Sequence, residues 1–296
     1  MASQQLISLH DSDAGLPPSS RAAEKRPGRL GSALDRVWRT FATGFCFAIF
    51  GIGQILLAFT VFPLLVVLIR NPARRKQWGR FVVHHSFRAF IRLMRLTGGL
   101  EYRVEGLERL RQPGTLVLAN HPSLIDVVFL ISFIRNADCV VKASLLKNPF
   151  TRYAILAAGY IPNHADPEAV LAACRASIEQ GACIVVFPEG TRTEPGQPLR
   201  LQRGAAHIAL RVACDMVPVV IRTGEHNLGR GSRWWRVPAQ KVRFQFQVKE
   251  RLRVERWLPA GQEPAIGARE LTEFLTTYFK RETGAPCPSW WKSSNN

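Results

Sequence analysis

Between Thr40 and Ile69 the chain carries no charged side chain. A helix of that length rises about 45 Å, against a bilayer hydrocarbon core of about 30 Å. Two arrangements fit: one tilted span, or a bent pair of shorter helices. The bent pair would break near Gly51-Ile52-Gly53-Gln54 or at Pro63. Arg36 and Arg39 precede the run, and Arg70, Arg74, Arg75 and Lys76 follow it. Residues 70–95 hold eight Arg or Lys and no acid, which places the downstream chain in the cytosol. Basic flanks at both ends favour a re-entrant hairpin over a single crossing. A buried core helix pair is the competing reading, but the run is too long and too uniform for it. Residues 36–76 therefore read as a membrane anchor of one or two helices. Residues 1–35, with Pro17-Pro18-Ser19-Ser20 and Arg26-Pro27-Gly28, read as a disordered tail, not a signal peptide.

The remaining chain is long enough for one large α/β domain within the 296 residues, and 47% hydrophobic content supplies its core. The formal net charge of +18 calls for an anionic partner: a membrane surface, a nucleic acid or an anionic substrate. Six cysteines without C-x-x-C spacing read as mostly buried, reduced thiols. Phe81 to Leu96 has the pattern of an amphipathic helix, with Arg88, Arg92 and Arg95 opposite Phe87, Phe90, Ile91 and Met94.

Apolar runs then alternate with helical ones. Strands are expected at 100–104, 115–119, 138–142, 160–162, 182–187, 217–221 and around Val242 to Val248. Helices are expected from Pro122 to about Arg135, then over 147–158, 167–180, 204–214 and 265–280. This alternation predicts an α/β fold: a central, mostly parallel sheet flanked by helices, with the membrane-embedded helical segment ahead of it. The domain is placed at 77–282, with a flexible tail at 283–296. Trp234-Trp235 between Arg233 and Arg236 suit an interfacial belt.

Two short stretches carry chemistry. In Asn120-His121-Pro122-Ser123-Leu124-Ile125-Asp126, the histidine sits where a strand ends and the aspartate one turn into the next helix. A carboxylate on one ring nitrogen fixes the tautomer a histidine needs to take a proton from an alcohol. Alone the spacing is weak, and a helix-capping pair explains it equally well. In Phe187-Pro188-Glu189-Gly190-Thr191-Arg192, Gly190 lets backbone amides approach a ligand, and Arg192 can grip a phosphate with two parallel bonds. Glu189 can accept from a hydroxyl or hold Arg192. A surface turn with a Glu–Arg pair is the plainer account. Both stretches, however, leave strands on the same sheet edge, where α/β proteins build sites.

These stretches resemble blocks of the lysophosphatidic acid acyltransferase superfamily of glycerolipid acyltransferases. "NHPSLID" is similar to its His-x-x-x-x-Asp block and "VVFPEGTRT" to its acceptor block. "VKASLLKNP" with "GYIPN", and "MVPVVI", resemble two more blocks, so the resemblance covers roughly residues 80–225. It implies a membrane enzyme facing the cytoplasm, placed in the bacterial inner membrane. Such an enzyme moves a fatty acyl chain from acyl-CoA or acyl carrier protein to a lysophospholipid hydroxyl, with lysophosphatidic acid the expected acceptor. His121 is the expected base and Asp126 its orienting acid. Glu189 and Arg192 position the acceptor, Gly190 and Thr191 shape the loop, and Lys142 with nearby amides meets the oxyanion. No metal, cofactor or nucleic acid is expected. One departure stands out: Asn163 occupies the place of an arginine taken to hold the acceptor phosphate. A non-glycerol or specialised lipid acceptor is the alternative. No G-x-S-x-G supports a hydrolase. A basic protein that only binds membranes would leave both stretches without a purpose.

Overall fold

The computed structural model describes residues 29–163, 166–193, 197–224, 241–258 and 264–284. Helix α1 (Arg29–Phe59) and helix α2 (Val61–Leu68) part at Thr60. Pro63 explains the break: it has no N–H for the Phe59 carbonyl, and its ring crowds that oxygen. The Gly51–Gln54 stretch, the other expected break, stays helical. α1 also begins inside the 1–35 stretch expected as a tail, whose residues 1–28 lie outside the described residues.

Helix α3 (Pro72–Leu96) starts cleanly, because the Asn71 side chain accepts from the amides of Ala73 and Arg74 and Pro72 takes the first helical position. α1 lies antiparallel along it. Phe47 meets Phe90 edge-on at 5.3 Å, Phe50 packs on Phe87 and Phe90, and Gln54 Nε2 donates to Ser86 Oγ at 3.2 Å. As the pattern predicts, Phe90, Ile91 and Met94 are buried and Arg88, Arg92 and Arg95 exposed.

Seven strands follow: β1 (Leu100–Glu105), β2 (Leu116–Ala119), β3 (Ala137–Lys142), β4 (Ile161–Asn163), β5 (Cys183–Val186), β6 (Met216–Thr223) and β7 (Val242–Val248). They form one sheet in the order β1-β7-β6-β2-β5-β3-β4. Every neighbouring pair is parallel except β6 with β7. Helices α4 (Asp126–Phe133) and α5 (Pro149–Ala158) join α3 over one face; α6 (Pro167–Glu179), α7 (Gly204–Val212) and α8 (Pro264–Gly284) cover the other. Alternation along the strands feeds both layers: Val117, Val185 and Val219 point into the first, Leu116, Ile184 and Val220 into the second. A sheet covered on both sides needs apolar residues throughout, which is why β2 and β5 read as unbroken runs. Each such side chain contributes roughly 1.5–3 kcal/mol on burial. The expected α/β architecture is the observed one.

α4 starts at Asp126 and not at Pro122. Ser123 gives both its amide and its hydroxyl to the Asp126 carboxylate, at 2.6 Å each, and so holds 122–125 as a turn. The Trp234-Trp235 pair and residues 285–296 lie outside the described residues. Five cysteines, Cys46, Cys139, Cys174, Cys183 and Cys214, are buried and unpaired. Burial pushes the thiols of Cys139, Cys174 and Cys214 up to about 12, well away from thiolate reactivity.

Candidate active site

The parallel strands β2, β5 and β3 end on one edge, and the residues singled out above leave from there. β2 delivers His121. Just before it, the Asn120 side chain imitates a strand: Nδ2 donates to the Ile221 carbonyl at 2.8 Å, and Oδ1 accepts the Ile221 amide at 2.7 Å. This clamp extends the β2–β6 pairing beyond Ala119–Val219.

The tight turn after His121 folds Asp126 back under the ring. His121 Nδ1 lies 3.0 Å from Asp126 Oδ2. Asp126 is fully buried while the His121 side chain keeps 20% exposure, so the acid is shielded and the ring stays reachable. Burial pushes the Asp126 carboxyl above its ordinary value; His121 and the two Ser123 donors pull it back down. A buried acid with three donors favours the tautomer in which Nδ1 carries the proton. That leaves Nε2 as the basic nitrogen.

β5 delivers the second stretch. Phe187 stacks on the imidazole, with ring centroids 4.2 Å apart and planes 26° from parallel. Gly190 has φ +67, a left-handed turn that favours glycine, and its amide donates to the Phe187 carbonyl at 3.0 Å. The turn brings Glu189 back to the histidine: Oε1 accepts the His121 amide at 2.8 Å, and Oε2 accepts the Thr193 amide at 3.1 Å and the Thr193 hydroxyl. Gly190 and Thr191 are exposed and Arg192 is half-buried. The two stretches, apart by 68 residues at His121 and Glu189, thus form one structure.

Lys142 is exposed at the end of β3, two strands from β2, with Asn163 of β4 as its register partner. Both lie on the site's edge of the sheet but at its flank. Ser123, Thr193, Phe187 and Asn120 do work that the sequence reading did not give them. The Ser-x-x-Asp spacing of Ser123 and Asp126 was the one available signal, since it is that of a capping box. Among the described residues no three His, Cys, Asp or Glu gather into a metal-ligand set.

The chain is similar to known proteins. A sequence model of the family described as Acyltransferase matches residues 101–222. The chain is 29% identical over 175 residues to the 1-acyl-sn-glycerol-3-phosphate acyltransferase of Pseudomonas aeruginosa, covering 57% of this chain and 65% of that protein. It is 27% identical over 161 residues to a chloroplastic enzyme of the same name from Arabidopsis thaliana, covering 52% and 44%. In each case the chain spans less than two thirds of the relative's length. The crystal structure of the 1-acyl-sn-glycerophosphate acyltransferase from Thermotoga maritima superposes with a TM-score of 0.59 at 19% identity, covering 85% of this chain and 100% of that one. At that identity the likeness is one of fold.

Proposed function

We propose that this chain is a member of the lysophosphatidic acid acyltransferase superfamily and moves a fatty acyl group from a thioester to the hydroxyl of a lysophospholipid. The proposed acceptor is lysophosphatidic acid, giving phosphatidic acid, and the donor is acyl-CoA or acyl carrier protein. The observation that carries the reading is the His121–Asp126 pair, 3.0 Å apart, set against the Gly190 turn.

In this mechanism Nε2 of His121 takes the proton of the acceptor hydroxyl as its oxygen attacks the thioester carbonyl. Asp126 orients the ring and supports the imidazolium that forms. The tetrahedral oxyanion is met by loop amides and by Lys142. Its collapse breaks the C–S bond, and the leaving thiolate recovers the proton from His121. The products are an ester and a thiol, with no acyl-enzyme and no cofactor. Arg192 grips the acceptor phosphate and Thr191 borders it.

The proposed acceptor is a membrane lipid, and the apolar surface supports docking at a bilayer. Leu34–Leu68 is long and apolar enough to cross a membrane. Its outward side chains, among them Phe41, Ile52, Leu56, Phe59 and Val67, are exposed. Arg70, Arg74, Arg75 and Lys76 follow where headgroup phosphates would lie. We place the protein on the cytoplasmic face of a bacterial inner membrane.

Asn163 favours a second reading. It is neutral and exposed on the site's edge, so a specialised or non-glycerol lipid with a hydroxyl fits as acceptor. One assay tests both. Purified protein in mixed micelles is given acyl-CoA or acyl carrier protein thioesters and a panel of lysolipid acceptors, with products identified by mass. Transfer to lysophosphatidic acid is expected, and His121→Ala should abolish it with an unchanged circular dichroism spectrum. Transfer that survives His121→Ala would overturn the mechanism.

A further inference from the structure

We propose that Glu189 is a positioning residue that holds the backbone of His121, and not a ligand of the acceptor. This deepens the acyl-transfer reading above and takes that reaction as its premise. An ionised carboxylate offers about four acceptor sites. Three of those of Glu189 are filled from within the chain, by the amide of His121 and by the amide and hydroxyl of Thr193. The residue is only 7% exposed, so little of it is left for a substrate.

The His121 amide needs this partner. β2 pairs with β5 only as far as Leu118–Val186, and with β6 as far as Ala119–Val219. Beyond that point Asn120 is stitched to Ile221 by its own side chain, and His121 is the next residue out. Its amide would be left without a ladder partner at a half-buried position. Glu189 takes the place of a strand there. The same loop also presents Phe187 against the imidazole, so ring and backbone are gripped from one side by residues two apart. Meanwhile Thr193 donates to the opposite carboxylate oxygen, which fixes the Glu189 side chain in place.

A residue that aims the base acts in the turnover step, whereas an acceptor ligand acts in binding. Misplacing a reacting group by about 1 Å costs on the order of 100-fold. Glu189→Ala should therefore lower kcat by about 100-fold and leave the acceptor KM within about threefold. Glu189→Gln should fall between, since its amide oxygen can still take the His121 amide while its NH2 meets the Thr193 N–H. Thr193→Val should give a smaller loss of kcat with the same unchanged KM. A second readout needs no turnover: hydrogen exchange of the His121 amide, followed in protein with 15N-labelled histidine. It should quicken in Glu189→Ala, and less in Glu189→Gln, while the amides of β5 and β6 stay protected. A raised acceptor KM at constant kcat, or a His121 amide that exchanges at the unaltered rate in Glu189→Ala, would overturn the proposal. If the unaltered protein acylates no lysolipid, the proposed function fails, and the exchange rates still decide what Glu189 holds.

Discussion

Two forces act on the Asp126 carboxyl, and they oppose each other. Burial favours the neutral acid; His121 Nδ1, the Ser123 amide and the Ser123 hydroxyl favour the anion. In the proposed mechanism the anion is the form that supports an imidazolium, so there the donors matter to chemistry as well as to folding. Ser123→Ala removes one charge-assisted bond, worth roughly 1.5–3 kcal/mol. Losing a bond made to the charged form raises the pKa. The acid limb of the kcat–pH profile should therefore move to higher pH. An acid limb that stays put would remove Ser123 from this role. His121 and Asp126 were legible as a spaced pair because each bears its chemistry in its own side chain. The use of Glu189 was not, because its partners are a backbone amide 68 residues away and a threonine beyond the motif. Only the folded turn defines them.

Helix α3 shows the same limit among the elements. Its amphipathic pattern was plain, yet the residue that fixes its place, Arg80, sat unremarked as one of eight basic residues over 70–95. Arg80 is 4% exposed and bonds Asp138 at 2.5 Å, the Ala158 carbonyl at 3.0 Å and Asn136 Oδ1 at 3.0 Å. Ser177 of α6 completes the Asp138 side. The cluster pins α3 to β3, α5 and α6 together. Removing one partner strands a buried charge, at a cost of about 3–5 kcal/mol. Arg80→Ala should lower the urea midpoint accordingly, while exchanging an exposed neighbour, Arg88→Ala, should leave it nearly unmoved, with a change in unfolding free energy under about 0.5 kcal/mol. Equal midpoints would contradict this account. Immediately before Arg80, Gly79 lets α3 approach α5 closely, since a Cβ there would lie 2.0 Å from the Ala157 carbonyl oxygen. Strand positions were read well because a doubly covered sheet demands apolar runs. The start of α4 was misplaced by four residues because a proline at a permissive position says less than two hydrogen bonds from Ser123.

For the molecule as a whole, one flank is apolar and its margin basic. The side chains of α1 turned away from α3, and most of α2, have no covering element among the described residues. Singly exposed hydrophobics are ordinary, but a continuous stripe marks an interaction surface. Ile52→Glu with Leu56→Glu places two charges on that stripe, at positions 59% and 58% exposed. The double variant should lose flotation with anionic vesicles, yet keep its melting temperature and its activity on detergent-dispersed acceptor. Unchanged flotation would mean that the stripe is not the docking face. The apolar run was legible because charge-free stretches of this length are rare in soluble chains; its course along α3 was not, because aromatic packing such as Phe47 on Phe90 leaves no local trace.

The sheet order carries a timing consequence for synthesis. β1 has β7 as its neighbour, and Glu105 meets Gln247 across 142 residues of chain. On a ribosome adding about 5–20 residues per second, the segment near residue 100 waits roughly 7–30 s for its mate. The strands that carry His121 and Glu189, β2 and β5, are neighbours already by residue 186. The nascent protein can thus assemble its reactive edge first and zip its outer margin last, leaving an unmatched β1 for chaperones to guard in between.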